Sequence, residues 1–150
     1  MTPLISSVSG LTLLNKESPM TKDEARQYSP LSLAFVGDAV YEQFVRDELV
    51  ISANMPVRKL HSLAVKKVCA EYQAAALSDL SDKGFFTDEE ADILRRGRNA
   101  GGVNAPKHSS VADYRAATAL ECLLGFLHLT GQHTRAEEIY KAIDITPENT

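Results

Sequence analysis

The chain has 150 residues, of which 44% are hydrophobic and 24% are charged, a composition typical of one soluble globular domain with a real core. The formal net charge of −4 excludes an overall basic field for nucleic acid, although a local basic cluster can outweigh the total. The longest apolar segment, residues 116–129, is too short to cross a membrane, which takes about 20 residues. Two cysteines, Cys69 and Cys122, and the lack of a secretory leader predict a reduced, cytoplasmic protein.

The start of the chain differs from the rest, because residues 1–20 have no hydrophobic period and are expected to form a loosely ordered N-terminal arm. Residues 21–145 are predicted to form the domain itself, and residues 146–150 a short tail. The first long helix is predicted to begin at Ser29-Pro30, where a capping serine precedes proline at the first helical position, and to end near Val50.

The predicted helix over residues 31–50 is apolar on nearly every side, and Asp38 follows Gly37 in its middle. A helix of this kind is normally buried in the middle of a domain. A buried ionised carboxylate is costly unless a metal ion or a basic side chain pairs with it. The sequence therefore predicts that something specific faces Asp38.

Residues 57 to about 80 carry apolar side chains at helical spacing, which predicts a second, amphipathic helix. Its polar side carries Arg58, Lys59, Lys66 and Lys67. A lysine pair on a helix usually only solubilises the surface, so this basic side is weak evidence for a binding site.

A third helix is predicted over residues 88–96, because Thr87 and Glu90 have the spacing of a capping box. Gly97 follows and is expected to end this helix. Residues 96–110 are basic, rich in glycine and without a hydrophobic period, which predicts a loop.

The helix predicted over residues 111–129 is apolar apart from Glu121, and Gly125 follows one turn later. Glycine costs about 1 kcal/mol in a helix interior relative to alanine, so we expect another backbone to approach closely there. The economical interpretation is that this helix crosses the 31–50 helix at the two glycines, with Asp38 facing Glu121.

A last helix is predicted to end near Ile143, and no segment alternates with period two, so the fold is predicted to be all-α.

Two facing carboxylates repel each other unless a proton or a cation lies between them. Oxygen ligands suit Mg²⁺ or Mn²⁺, and such an ion can activate a water molecule and polarise a phosphoryl oxygen. This pattern favours a phosphodiester hydrolase. The alternative, about as well supported by the pattern alone, is that each acid pairs with its own base, for instance Arg46 or Arg115.

Four motifs in order resemble those of the ribonuclease III family: LAFVGDAVYE (residues 33–42), LRRGRNA (residues 94–100) with the following Pro106-Lys107, YRAATALE (residues 114–121) and TALECLLGFL (residues 118–127). The chain is most similar to the short branch called Mini-ribonuclease III, over residues 29–143. Nothing in it resembles the double-stranded-RNA-binding domain that longer members append.

The resemblance implies an all-α ribonuclease III endonuclease domain, a compact helical bundle that dimerises through the 31–50 helix. It also implies that Asp38 and Glu121 are the catalytic pair that binds Mg²⁺, with Mn²⁺ able to substitute. The usual pattern has two further acids where this chain has Ala34 and Thr118, which leaves the number of metal ions open. Glu42 is either a further metal ligand or, as the i+4 spacing favours, an ion pair with Arg46.

The implied activity is hydrolysis of double-stranded RNA to 5′-phosphate and 3′-hydroxyl ends, with precursor 23S ribosomal RNA as the expected substrate. Double-stranded RNA is recognised mainly by shape and phosphates, and arginine suits phosphate contacts. The expected RNA-binding residues are Arg95, Arg96, Arg98, Asn99 and Lys107, with Lys66 and Lys67 as weaker candidates. The alternative for the first five is a solvated charged loop.

Two other functions are weighed against the nuclease. Ala34 and Thr118 favour a non-catalytic RNA-binding or ribosome-assembly module that keeps the fold without the chemistry. An all-α nucleotide pyrophosphohydrolase would need acids clustered on one helix, and the nearest candidates are Glu89, Glu90 and Asp92 on a helix that looks exposed. Of these two alternatives, we expect the nucleotide pyrophosphohydrolase to be the weaker.

Overall fold

The computed structural model describes residues 20–100 and 110–145. Within these ranges the chain is helical and has no β-strand, which confirms the predicted all-α class. The described helices are α1 (Lys22–Arg26), α2 (Pro30–Ser52), α3 (Val57–Val68), α4 (Ala70–Asp82), α5 (Asp88–Ala100), α6 (Val111–Leu129) and α7 (His133–Ile145). The predicted tail and nearly all of the predicted N-terminal arm lie outside the described residues. None of the helices in the described ranges is long and apolar enough to cross a membrane.

Helix α6 lies at the centre of the core. Ser110 caps its first turn by accepting a hydrogen bond from the Asp113 amide, and every residue from Ala116 to Leu120 and from Cys122 to Leu127 is buried. Helices α2, α4 and α5 provide most of the packing around it. Since α6 is apolar all round, these neighbours together remove nearly its whole circumference from water, which is the main hydrophobic stabilisation of the fold.

Helix α2 is buried on one face only in the single chain, so the expectation from its apolar pattern alone, a helix in the middle of the domain, is wrong. Leu33, Tyr41 and Val45 pack against the core, whereas Phe35 is 82% exposed and Ile51 is exposed as well. The reason is that α6, rather than α2, takes the central position. An apolar face of α2 is therefore open to water in the single chain.

The helix predicted over residues 57–80 is two helices. The chain is extended at Cys69 (φ −69°, ψ 155°), which ends α3 and begins α4. The break frees carbonyl groups that two side chains satisfy: the Tyr41 hydroxyl of α2 donates to the Lys67 carbonyl at 2.6 Å, and the Gln73 amide, just after the break, donates to the Val68 carbonyl at 3.0 Å. One tertiary and one local hydrogen bond therefore stabilise a break that no glycine or proline marks in the sequence.

The prediction that Gly97 ends the third helix is also wrong, because α5 continues to Ala100. Gly97 is buried against α6, and a Cβ atom there would lie 2.8 Å from the Cys122 Cβ atom. The glycine thus permits close packing of α5 on α6 instead of a turn. Arg96, Arg98 and Asn99 consequently lie on a helix and not on a loop.

The capping box at the start of α5 is present, since the backbone N–H of Thr87 donates to the Glu90 carboxylate and the backbone N–H of Glu90 donates to the Thr87 hydroxyl. Glu90 is buried and forms hydrogen bonds with Arg135 of α7 at 2.8 and 2.9 Å. Glu89 pairs with Arg26 at 2.6 Å, so these acids connect α5 to other helices. The expectation that this helix is exposed is wrong for Glu90, and neither acid is left free to bind a nucleotide.

Candidate active site

Helices α2 and α6 cross with their backbones in contact. A Cβ atom on Gly37 would lie 1.6 Å from the Glu121 carbonyl oxygen, and one on Gly125 would lie 1.9 Å from the Leu33 carbonyl oxygen. No side chain fits at either position, because the obstructing atoms belong to backbone. The predicted crossing at the two glycines is therefore confirmed.

This crossing brings the carboxyl groups of Asp38 and Glu121 together. The pKa of Glu121 is raised from 4.5 to about 7. Burial is the largest cause, and the charge of Asp38 and a hydrogen bond with Asp38 add to it, whereas a hydrogen bond from Gln73 lowers the pKa. Glu121 is half-buried, whereas Asp38 is exposed to solvent. The pair therefore consists of one sheltered and one accessible acid, and the pKa of Glu121 is raised into the neutral range.

The alternative that each acid pairs with its own base is not what the described residues show. Arg46 forms an ion pair with Glu42 at 2.9 Å, and the Nε atom of Arg115 is buried without a hydrogen-bond partner among the described side chains. Within the described ranges, neither Asp38 nor Glu121 forms an ion pair with a basic side chain. Their repulsion is thus left to a proton or a cation.

Gln73 is the residue that the sequence analysis missed. It is only 2% exposed, and its Nε2 atom donates to the Glu121 carboxylate at 3.3 Å and to the Val68 carbonyl at 3.0 Å. Its Oε1 atom is buried with no hydrogen-bond partner in the part of the chain that is described. A signal was available, because Gln73 interrupts the apolar face formed by Ala76, Leu77 and Leu80 of α4.

The residues at the crossing fit a hydrated divalent cation. Two adjacent carboxylates offer the oxygen ligands that Mg²⁺ prefers, and Mg²⁺ commonly takes only one or two of them and keeps several waters. No group of three or more His, Cys, Asp and Glu side chains with metal-binding geometry occurs in the described ranges. The site therefore differs from an enclosed metal site built wholly of protein ligands.

Glu42, the candidate for a further ligand, lies one turn after Asp38 and accepts a hydrogen bond from the Arg46 guanidinium at 2.9 Å. The ion pair that the i+4 spacing favoured is therefore present. A role for Glu42 at a metal stays a prediction.

Comparison with known proteins places this geometry in a family. A model of the ribonuclease III domain matches residues 31–132, a range that contains Asp38 and Glu121. A Mini-ribonuclease 3 from Thermoanaerobacter sp. is 43% identical over 120 residues, covering 80% of this chain and 83% of the relative. The chain belongs to the Mini-ribonuclease III branch of the ribonuclease III family. It is accordingly an endoribonuclease that acts on double-stranded RNA.

Other members of the family agree with this assignment. The Mini-ribonuclease 3 of Symbiobacterium thermophilum is 45% identical over 113 residues, covering 75% of this chain and 85% of the relative, and that of Staphylococcus aureus is 42% identical, covering 77% and 86%. A crystal structure of a Fusobacterium nucleatum protein is 32% identical and superposes with a TM-score of 0.68, covering 80% of this chain and 92% of that protein. The sequence thus matches over most of the length of each relative, and the architecture matches over most of the Fusobacterium nucleatum protein.

The two departures from the usual ribonuclease III pattern have a clear structural consequence. Ala34 is buried and has no polar side chain. Thr118 is also buried, and its hydroxyl donates to the Tyr114 carbonyl of its own helix at 3.0 Å. Neither position supplies an oxygen ligand equivalent to a carboxylate, so Asp38 and Glu121 are the two acids at this crossing.

The four residues of α5 that are predicted to bind RNA differ in their exposure and in the partners that they already have. Arg98 and Asn99 are exposed on the last turn of α5. Arg95 is exposed as well but pairs with Asp92 at 2.7 Å, and Arg96 is half-buried and donates to the Arg26 carbonyl at 2.9 Å. Arg98 and Asn99 are therefore the best placed of the four for an RNA contact.

The three lysine candidates differ in the same way. Lys66 is exposed on α3, whereas Lys67 is half-buried and pairs with Glu48 at 2.9 Å. Lys107 lies outside the described residues. RNA contacts by any of these side chains stay a prediction.

Proposed function

We propose that Asp38 and Glu121 hold the divalent cation of this endoribonuclease, and that the cation is Mg²⁺, with Mn²⁺ able to substitute. The observation that carries the proposal is the pairing of these two acids across the Gly37–Gly125 crossing, without a basic partner among the described residues. A non-catalytic module would gain nothing from this pairing, because two adjacent acids destabilise the fold unless a proton or cation separates them.

The two acids have different tasks in the proposed site. Glu121 gives up its proton to become a ligand, since a cation and a proton compete for the same carboxylate. Asp38 is exposed and presents its carboxylate where an RNA phosphate can approach from solvent. When bound, the cation supplies Lewis-acid polarisation of the phosphate and lowers the pKa of water. Hydrolysis that breaks the bond from phosphorus to the 3′-oxygen leaves the proposed 5′-phosphate and 3′-hydroxyl ends.

We also propose that residues 21–145 form the catalytic domain and that two copies pair through α2. Phe35 is 82% exposed, and beside it lies a groove of about 730 Å³ whose lining includes Val36, Val40, Phe44 and Ala136. A two-fold pairing uses the same patch on both subunits, so Phe35 of each copy would enter the groove of the other. Such a dimer places two sites on one duplex, one for each strand.

The proposed substrate is a double-stranded stem of precursor 23S ribosomal RNA, bound by Arg98, Asn99 and Lys66. These side chains are exposed and supply polar or positive groups for the phosphates of a duplex. Because the chain as a whole carries a net charge of −4, such binding depends on local contacts and should weaken steeply with salt.

Cleavage of duplex RNA by wild-type protein and by Asp38→Asn tests the catalytic assignment. We expect wild-type protein to cleave in Mg²⁺ and Asp38→Asn to fold normally without cleaving. Asp47→Asn is the matched control, because Asp47 is an exposed acid of the same helix that accepts a hydrogen bond only from Gln43 among the described residues, and this variant should cleave as wild type does. Cleavage by Asp38→Asn would refute the assignment, and RNA binding without cleavage by any of the proteins would favour the non-catalytic module.

Sedimentation of wild-type protein and Phe35→Ala tests the proposed dimer. We expect wild-type protein to sediment as a dimer and the variant to shift toward monomer, since Phe35 contributes little to the core of a single chain. A monomeric wild-type protein, or an unchanged dimer in the variant, would contradict pairing through this face.

A further inference from the structure

We propose that Gln73 is a positioning residue of the active site, which fixes the Glu121 carboxylate for cation binding. This inference rests on the proposed roles of Asp38 and Glu121. It adds a residue that lies on a third helix, α4, and that no ribonuclease III motif identified in the sequence includes.

The orientation of the Gln73 amide is fixed by its partners. The Val68 carbonyl can only accept a hydrogen bond, so the amide nitrogen and not the oxygen must face it, at 3.0 Å. The same nitrogen has a second hydrogen, which it directs to Oε2 of Glu121 at 3.3 Å. Gln73 therefore holds one carboxylate oxygen of Glu121, which fixes the orientation of the carboxyl group.

The anchor of this hydrogen bond is the break between α3 and α4. The Val68 carbonyl is available there because the chain is extended at Cys69. The Tyr41 hydroxyl holds the neighbouring Lys67 carbonyl at 2.6 Å, so α2 also fixes the break. Glu121 is thus tied through Gln73 to backbone and does not rely on a mobile side chain for its orientation.

The burial of Gln73 supports a role beyond packing. Gln73 is 2% exposed on a face of α4 that is otherwise apolar, and its Oε1 atom has no hydrogen-bond partner among the described residues. An apolar side chain would fill the same space without leaving a buried acceptor unpaired. The oxygen stays unpaired while the nitrogen of the same amide group binds Glu121, which indicates that the polar side chain is kept for that hydrogen bond.

Mn²⁺ titration of metal-free protein tests the proposal without using activity. Gln73→Met removes both polar atoms of the amide group while approximately keeping the length and volume of the side chain. Leu77→Met is the matched control, because Leu77 is buried one turn later on the same helix. Loss of a residue that orients a metal ligand typically lowers affinity by about 10- to 100-fold, so we expect at least a tenfold weaker Mn²⁺ affinity for Gln73→Met and wild-type affinity for Leu77→Met.

The outcomes separate this inference from the proposed function. Tight Mn²⁺ binding by both wild-type protein and Gln73→Met would overturn the role of Gln73 alone. Failure of wild-type protein to bind Mn²⁺ would overturn the metal site and this inference with it. Should Gln73→Met fold poorly, NMR of wild-type protein decides: the Gln73 side-chain amide signals should shift on Mg²⁺ titration with the midpoint of Mg²⁺ binding, and signals that stay in place would refute the proposal.

Discussion

Glu121→Gln should stabilise the metal-free protein above neutral pH while abolishing cleavage. The pKa of Glu121 rises from 4.5 to about 7 on folding, first because of burial and then because of the charge of Asp38. The folded chain therefore binds a proton more tightly than the unfolded chain, and stability falls as pH rises between these two values. At about 1.4 kcal/mol per pH unit, the wild-type protein loses about 3 kcal/mol over this interval.

Glutamine resembles the protonated carboxyl at every pH, so it does not incur this loss. The assay is urea unfolding in a metal chelator at about pH 4.5 and about pH 8.5, on either side of the transition. We expect equal free energies of unfolding for wild type and variant at the lower pH, and an advantage of up to about 3 kcal/mol for the variant at the higher pH. Saturating Mg²⁺ should restore wild-type stability, by about 2.7 kcal/mol at 100 times the dissociation constant, and affect the variant less.

Asp47→Asn is the control for a general effect of removing negative charge. Asp47 is exposed, and its hydrogen-bond partner among the described residues, Gln43, lies on the same helix. Its effect on stability should be small at both pH values. A wild-type protein that is more stable at the higher pH, or a Glu121→Gln variant with the same advantage at both, would refute the argument that the two carboxyl groups repel each other in the fold.

Three further predictions concern packing, ion pairs and RNA. Gly125→Ala places a Cβ atom 1.9 Å from the Leu33 carbonyl oxygen, and it should lower the free energy of unfolding by about 3 kcal/mol or more in urea titration. Arg135→Met leaves the buried Glu90 carboxylate unpaired, so it should cost about 3 kcal/mol or more by the same measurement, and adding Glu90→Gln should recover part of that loss. Arg98→Ala should weaken binding of duplex RNA and lower the slope of log affinity against log salt by about 1 in filter-binding or fluorescence titration.

The sequence was sufficient to predict the helix crossing because two independent signals coincide on each helix. Gly37 and Gly125 each remove bulk from an apolar helix, and each has an acid beside it or one turn away. A glycine that is unfavourable for helix formation requires a compensating contact, and the contact is the other backbone. Local pattern and tertiary packing agree here, so residue spacing predicted the crossing with the two acids facing each other, although it supported a pairing of each acid with its own base about as well.

The same kind of reasoning failed where the tertiary contacts oppose the local signal. Gly97 follows basic residues and has the local appearance of a helix end, yet its neighbour is Cys122 of α6. No glycine or proline marks a break at Cys69, and one of the two donors that satisfy the freed carbonyls, Tyr41, lies 26 residues from the carbonyl it binds, whereas Gln73 lies just after the break. The error at Gly97 also placed Arg98 and Asn99, which lie on α5, in a predicted loop.

The exposed face of α2 and the acid pair are linked by the geometry of one helix. Gly37 must face α6 because its neighbour is the Glu121 backbone, and at about 100° per residue Asp38 then lies toward the edge of that contact, between the core and solvent. Asp38 and Phe35 both line the groove beside α2. The close approach at Gly37 therefore sets two properties at once: it brings Asp38 to Glu121, and it turns an apolar face outward next to the site. These are the two properties on which the proposals above rest: the acid pair for the proposed metal site, and the adjacent apolar surface for the proposed second copy.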